Sequence, residues 1–184
     1  MAVPISESQI TLNFPDNNFF RFESCRGYKD IQNNFKEMDV CWYEQQADTL
    51  YIIELKNWQN NDLDEESNPN ISKEEIAETK KKISIHRINE LLKKSVDSVS
   101  MFMSILLERP YSSNIQECSP FKITKATKIK LLSIINWTSN DINYISNINT
   151  EYRSKFNSYA KLYQVETFIV LTKQQAASKF SWIS

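Results

Sequence analysis

The sequence predicts an α/β domain in which helices flank a central mixed β-sheet. Two runs rich in β-branched and aromatic residues flank a short polar link within residues 37–58, as in a β-hairpin. A long stretch with apolar residues at helical spacing follows over residues 72–109. Strand-like and helix-like patterns then alternate to residue 180, an order typical of a sheet covered by helices.

The start of the chain predicts short strands. Residues 10–14 and 19–23 form apolar runs separated by a Pro-Asp-Asn-Asn turn. Alternation in the second run places Phe20 and Phe22 on one face. Residues 28–36 are short and polar, and they fit either a turn of helix or a loop.

The hairpin carries two charges that a buried strand would not otherwise hold. Side chains alternate across a strand, so Glu54 and Lys56 leave the same face. If the chain turns between Gln46 and Ala47, in the middle of the polar link, Asp39 lies opposite Glu54. A slip of one residue would move Asp39 to the other face, so this register is a prediction.

Two opposed carboxylates and one ammonium would therefore project from the middle of the sheet. Opposed carboxylates repel each other, but a divalent cation between them turns the repulsion into a binding site. Carboxylate oxygens are hard ligands of the kind that Mg²⁺ prefers. A neighbouring lysine could orient or deprotonate a metal-bound water and stabilise the phosphate under attack. The alternative without a functional site is a surface salt bridge between Glu54 and Lys56.

At these residues the chain resembles the PD-(D/E)xK nuclease superfamily, with Asp39 as the first acid and Glu54-Leu55-Lys56 as the E-x-K. The resemblance implies a restriction-endonuclease-like fold and metal-dependent hydrolysis of phosphodiester bonds. It implies that Asp39, Glu54 and the Leu55 carbonyl bind Mg²⁺ or Mn²⁺ and that Lys56 lies beside the attacking water. DNA is the expected substrate, and RNA is the alternative.

Further residues could extend this site. In the superfamily an acid ahead of the first motif often completes the site, and Glu23 is the nearest candidate; Glu37 competes with it. Glu23 could equally be a surface carboxylate near Arg21. In the resembling fold the helix after E-x-K has one end near the active site, so Lys93 and Lys94 could contact phosphates. A plain solvated helix face is the alternative for both lysines.

The segment after the hairpin predicts a loop and then a long helix. Residues 59–71 are acidic with almost no apolar side chains, and we expect a mobile loop, either a gate or simply solvated. Ser72 and Glu75 match a capping box, and the helical pattern runs to Arg109. This length exceeds that of a typical globular helix, so we expect a break near residues 83–86.

The remaining elements follow from their patterns. Residues 111–121 predict a loop, and residues 122–137 contain a predicted strand. Residues 142–163 predict a helix in their second half. The chain then closes with an apolar strand over 165–171 and a helix over 173–180.

Composition predicts one globular domain over residues 1–184, with 41% hydrophobic and 24% charged residues. A net charge of −1 provides no global attraction for nucleic acid, so binding would need a local patch. The three cysteines show no C-x-x-C pair, which predicts neither a disulfide framework nor a zinc site and favours a reduced, cytoplasmic location. Nothing resembles a signal peptide or a membrane span.

The leading hypothesis is thus a Mg²⁺- or Mn²⁺-dependent endonuclease acting on DNA. The alternative keeps the fold without the activity, as a nucleic-acid-binding or scaffold subunit of a larger defence or mobile-element complex. A homodimer or a separate target-recognition subunit would fit either hypothesis, since the sequence contains no helix-turn-helix or other nucleic-acid-reading module.

Overall fold

The structure is a computed structural model that describes residues 4–58, 72–138 and 142–184. The strands within these ranges are β1 (Ile5–Glu7), β2 (Ile10–Leu12), β3 (Phe19–Phe20), β4 (Val40–Glu44), β5 (Thr49–Trp58), β6 (Lys128–Trp137) and β7 (Val165–Thr172). The helices are α1 (Arg26–Lys29), α2 (Lys73–Leu106), α3 (Ser113–Gln116), α4 (Ile142–Tyr163) and α5 (Lys173–Lys179). Single turns of 3₁₀ helix occur at Phe22–Ser24, Gln45–Ala47 and Pro110–Ser112.

A mixed five-stranded sheet lies at the centre of the described chain. Its strand order is β3-β4-β5-β6-β7, with β3, β4 and β5 antiparallel and β5, β6 and β7 parallel. The strands β1 and β2 pair separately as an antiparallel hairpin. The predicted α/β class with a mixed sheet is confirmed.

Each face of the sheet packs against a different layer. On one face, Leu50 and Ile52 of β5 belong to a core that includes Leu91 of α2 and Phe156 of α4. On the other face, Tyr51, Ile53 and Leu55 of β5 join a core with residues of β2, α5 and the C-terminal segment, such as Ile183. This division follows from the alternation of side chains along a strand. It places Glu54 and Lys56 on the face covered by α2.

Helix α2 begins where the sequence predicts. Ser72 accepts a hydrogen bond from the Glu75 amide, and the Glu75 carboxylate accepts one from the Ser72 amide, which is the expected capping box. The predicted break near residues 83–86 is wrong, because α2 continues unbroken over 34 residues. That stretch contains no proline or glycine, and Ser84 donates its hydroxyl hydrogen bond back to the Lys80 carbonyl inside the helix.

Other boundaries also differ from the predictions. Helix α4 covers all of residues 142–163 rather than their second half, and the expected loop at residues 111–121 contains α3. Glu23 lies in a 3₁₀ turn rather than in a strand. The predicted loop at residues 59–71 lies outside the described residues. Among the helices of the described ranges, none combines the length and apolar character needed to cross a lipid bilayer.

A disulfide joins Cys25 and Cys118, with their Cα atoms 5.4 Å apart. The expectation that the cysteines form no disulfide is therefore wrong. The reason is tertiary, because α1 packs against α3 and brings together two cysteines that are 93 positions apart in the chain. Cys41 is buried and free.

Loss of this disulfide is expected to destabilise the fold. Under oxidising conditions we expect Cys118→Ser to lower the free energy of unfolding by about 2 to 4 kcal/mol, since the bond closes a long loop. Urea denaturation of wild type and variant measures the difference. Dithiothreitol should lower the stability of wild type toward that of the variant. Two free thiols at these positions in oxidised wild-type protein would contradict the pairing.

Gly27 lies at the same helix contact, and it tolerates no side chain. A Cβ atom at this position would lie 2.4 Å from the backbone carbonyl oxygen of Asn114 in α3. Because backbone cannot move aside as a flexible side chain can, we expect Gly27→Ala to destabilise the fold by about 1 to 3 kcal/mol. Urea denaturation checks this, with Lys29→Ala on the exposed side of α1 as the control. Equal stability of Gly27→Ala and wild type would contradict the close contact.

Candidate functional site

The register of the β4–β5 hairpin places Asp39 opposite Glu54. The pairs Val40–Ile53 and Cys41–Ile52 are observed, so Asp39 and Glu54 form the next pair outward. Asp39 immediately precedes β4, and its Oδ2 accepts a hydrogen bond from the Leu55 amide at 2.7 Å. This bond fixes the Asp39 carboxylate against β5 and leaves Oδ1 for another partner. The predicted register is confirmed.

Glu54 is a fully buried carboxylate in the middle of the sheet. Its exposed fraction is 0%, because β4 and β6 flank its strand and α2 covers its face. Oε1 accepts a hydrogen bond from Lys94 and forms an ion pair with Lys56, whereas Oε2 has no hydrogen-bond partner among the described residues. A buried polar atom without a partner is destabilising unless water or an ion satisfies it.

A second buried polar atom lies beside Glu54. Ser133 of β6 pairs in parallel register with Glu54, so both side chains leave the same face of the sheet. The Ser133 hydroxyl is also buried without a hydrogen-bond partner among the described residues. Two neighbouring side chains of the sheet thus each carry a buried oxygen that a water molecule or an ion could satisfy.

Two lysines neutralise this cluster from different directions. Lys94 of α2 places its Nζ 2.7 Å from Glu54 Oε1 and 3.6 Å from Asp39 Oδ1. Lys56 of β5 places its Nζ 3.1 Å from Glu54 Oε1 and 2.9 Å from Glu90 of α2. One ammonium thus lies within 3.6 Å of both acids, so the two carboxylates are close enough to share a single cation.

Burial and neighbouring charges shift the pKa values of the cluster. Burial, with a further contribution from the Asp39 carboxylate, raises the pKa of Glu54 to about 7, although Lys94 and Lys56 work in the opposite direction. Burial alone would lower the pKa of Lys56, but the carboxylates of Glu54 and Glu90 outweigh it and raise that pKa. Lys56 therefore stays protonated at neutral pH.

An open cleft of about 580 Å³ leads to the cluster. Lys56 and Lys94 line this cleft, whereas Asp39 and Glu54 lie behind them and are not among its lining residues. The lining residues come from the segment before β4, from β5 and from α2: Lys36, Glu37, Lys56, His86, Asn89, Glu90, Lys93 and Lys94.

The structure brings some predicted residues together and leaves others outside. Glu54 contacts both Lys56 and Lys94, and Lys94, with only 15% of its side chain exposed, also contacts Asp39. Lys93 is 52% exposed at the cleft, where its ammonium contacts Asp97 at 2.9 Å. Glu23 is 58% exposed and forms an ion pair with Arg21 at 3.0 Å.

Glu37, the competing candidate for the additional acid, lines the cleft. Its carboxylate accepts a hydrogen bond from the Tyr28 hydroxyl. Burial raises the pKa of Glu37, and the charge of Asp39 adds to this effect while Lys94 opposes it. These contacts place Glu37 within the electrostatic reach of Asp39 and Lys94.

Glu90 and Ser133 belong to the site but were not predicted from the sequence, although the sequence pattern around each of them could have indicated it. Glu90 precedes Lys94 by four positions, so both side chains leave the same face of α2. Ser133 interrupts the apolar run of β6 in the way that Glu54 interrupts that of β5. A polar residue inside a fully buried strand is a sign of a site at that depth of the sheet.

The oxygen atoms available at the site fit a hard divalent cation. Mg²⁺ binds through one or two carboxylates and keeps several waters, so Asp39 Oδ1, Glu54 Oε2 and the Leu55 carbonyl form a suitable donor set. The Leu55 carbonyl accepts one hydrogen bond, from the Ser8 hydroxyl at 3.1 Å, and a carbonyl oxygen has a second lone pair. No group of three or more His, Cys, Asp or Glu side chains that could hold a metal occurs in the described ranges.

Comparison with known proteins gives no relative whose site could be set beside this one. No protein-family model, no curated protein and no solved structure matches the chain.

Proposed function

We propose that this protein is a restriction-endonuclease-like enzyme that hydrolyses phosphodiester bonds in DNA with the help of Mg²⁺ or Mn²⁺. The observation that supports the proposal most is that Lys94 Nζ lies within 3.6 Å of both Asp39, just before β4, and Glu54 of β5. Acids that can share an ammonium can share a divalent cation. The unsatisfied Glu54 Oε2 offers that cation a buried ligand.

The metal would be held by Asp39, Glu54 and the Leu55 carbonyl. When bound, such an ion supplies a Lewis acid and lowers the pKa of a bound water. Asp39 is positioned for this role because the Leu55 amide fixes one of its oxygens and leaves the other open. Glu54 contributes a carboxylate from a central strand, where neighbouring strands restrict its movement.

Lys56 acts through its charge. In the metal-free protein Glu54 and Glu90 raise the pKa of Lys56, so its ammonium keeps its proton near neutral pH. A charged ammonium can donate hydrogen bonds to the phosphate and stabilise the negative charge that develops on the oxygens during attack. Glu90 lies 2.9 Å from the ammonium and helps to position it beside the cleft. We therefore assign to Lys56 the stabilisation of the phosphate.

The cleft suggests how a polyanion would approach. Lys36, Lys56, Lys93 and Lys94 line the cleft together with Glu37 and Glu90, so four ammonium groups lie where a phosphate could contact them on a chain whose net charge is −1. Contacts from lysines to phosphates give affinity without reading sequence. Target choice therefore falls to another protein or to a second copy of this chain, and RNA is the alternative substrate.

Cleavage of plasmid DNA in the presence of Mg²⁺ tests the proposal. We expect Lys56→Ala to lower the cleavage rate about 100-fold or more, since a preorganised donor to the phosphate is lost. Lys179→Ala is the matched control, because Lys179 is an exposed lysine on α5, which packs on the opposite face of the sheet. Equal cleavage by wild type and Lys56→Ala, with both folded by circular dichroism, would contradict the mechanism.

A non-catalytic module is the second candidate, and one observation favours it. Glu54 Oε1 already has two ammonium partners, and Lys56 is also paired with Glu90, so the charges of the cluster can balance without a metal. Such a module would bind nucleic acid or serve as a scaffold subunit. Titration with Mn²⁺ distinguishes the two, since a non-catalytic module does not need an ion at Asp39 and Glu54.

A further inference from the structure

Lys94 lies where an ion shared by the two acids would need to bind. Its ammonium contacts Glu54 Oε1 at 2.7 Å and Asp39 Oδ1 at 3.6 Å. Asp39 Oδ2 is already bound to the Leu55 amide, so the Asp39 oxygen that is open to a ligand is the one that faces Lys94. A cation held by Asp39 Oδ1 would therefore lie on the side of Asp39 that faces Lys94 Nζ.

If an ion bound to Asp39 and Glu54, Lys56 would keep an acidic partner, whereas Lys94 would lose both of the acids that it contacts. Lys56 is anchored by Glu90 at 2.9 Å, and Glu90 is not one of the acids that would bind metal. Among the described residues, Lys94 forms ion pairs with Asp39 and Glu54, the two acids that would bind metal. A divalent ion on those acids removes the attraction that keeps Lys94 in place, and it repels the ammonium at short range in a poorly solvated site.

We propose that Lys94 is a built-in counter-cation of the metal site, and this inference rests on the proposed function. In the metal-free protein its ammonium holds Asp39 and Glu54 together, and a divalent ion displaces it into the cleft. Lys94 lines that cleft, which has room for the displaced side chain next to Glu37 and Glu90. The displaced ammonium then faces the path of the incoming polyanion, where it can bind a phosphate.

This exchange couples the metal to the substrate. Before an ion binds, Lys94 is engaged by the acids; after an ion binds, Lys94 becomes a phosphate ligand. A substrate phosphate that binds the displaced Lys94 ammonium makes it less favourable for Lys94 to move back to Asp39 and Glu54. The protein then binds the ion more tightly. By linkage, the ion strengthens substrate binding by the same factor.

Chemical reactivity of Lys94 gives a readout that does not depend on activity. Wild-type protein is treated with an amine-acylating reagent with and without Mn²⁺, and acylation at each lysine is measured by mass spectrometry. Acylation of Lys94 is expected to rise several-fold with Mn²⁺, whereas Lys179 on α5 serves as an unchanged internal reference. Glu54→Gln should show no Mn²⁺-dependent rise.

The affinity for Mn²⁺ gives a second readout. In Lys94→Met the ion no longer has to displace an ammonium, so at pH 8 and without substrate we expect it to bind about tenfold tighter or more. Lys82→Met is the matched control, because Lys82 lies on the same helix and pairs with Glu78 away from the site. If Lys94 had only a structural role, Lys94→Met would bind Mn²⁺ more weakly than wild type, because Asp39 and Glu54 would lose the ammonium that holds them in place.

The outcomes separate the two proposals. If wild type binds no Mn²⁺ and cleaves no DNA, the proposed function fails and the role of Lys94 fails with it. If wild type binds Mn²⁺ at the acids while Lys94 acylation stays constant and Lys94→Met binds no tighter, only the role of Lys94 is overturned. Increased acylation together with tighter binding by Lys94→Met supports the exchange.

Discussion

Glu54→Gln is expected to lower metal-dependent DNA cleavage by at least about 100-fold, because it removes a buried charged ligand from the ion. Glutamine has nearly the same shape as glutamate, and its amide oxygen can still accept a hydrogen bond from Lys94 or Lys56. The substitution therefore removes the negative charge more than it disturbs the packing between β5 and α2. A loss of cleavage in a folded protein would point to the charge of Glu54 rather than to its volume.

The rate of plasmid cleavage at saturating Mg²⁺ measures this effect. Glu151→Gln is the matched control, because it makes the same chemical change at an exposed position of α4. The melting temperature of each variant shows whether the fold is retained. Cleavage by Glu54→Gln at more than half the wild-type rate would exclude Glu54 as a metal ligand.

The contribution of Glu54 to the stability of the metal-free protein is expected to fall as pH rises from about 4.5 to about 7. Folding raises the pKa of Glu54 from 4.5 to about 7, so within this window the Glu54 carboxyl binds more protons in the folded state than in the unfolded state. This contribution then decreases with increasing pH, by roughly 3 kcal/mol in total by linkage. The direction is opposite to that of an ordinary salt-bridged carboxylate, whose stabilisation is lost in acid.

Urea denaturation in EDTA at a series of pH values, compared with Glu54→Gln, isolates this contribution. Groups such as Glu37, whose pKa is also raised, titrate in both proteins and largely cancel in the difference. We expect the stability of Glu54→Gln relative to wild type to increase between pH 5 and pH 7. A difference that stays constant over this interval would show that Glu54 ionises normally in the folded protein.

The strand elements of the site could be predicted from the sequence because the relevant signals are local. The polar link between β4 and β5 is short, and a slip of one residue would turn every apolar side chain of β4 to the other face. These two constraints were enough to place Asp39 opposite Glu54 and to place Lys56 on the same side. Glu54 and Lys56 are two residues apart, and the two-residue period of a strand is enough to place both side chains on one face.

The helical elements of the site depend on tertiary packing. From the sequence, Lys94 could contact phosphates or lie on a solvated helix face, and no local signal pairs it with Asp39 and Glu54. That pairing depends on how α2 lies across the sheet, with Ile88 and Leu91 buried on either side of Glu90. The Cys25–Cys118 bond likewise depends on the contact of α1 with α3, which no spacing of cysteines reveals. The lack of a break in α2 shows that length alone does not end a helix without a proline or glycine.

A crystal structure of the protein soaked in Mn²⁺ tests the central claim most directly. Anomalous diffraction should show one Mn²⁺ ion between Asp39 Oδ1 and the Glu54 carboxylate, within about 2.5 Å of an oxygen of each acid. Well-ordered Asp39 and Glu54 side chains at saturating Mn²⁺ with no anomalous peak between them would contradict the account.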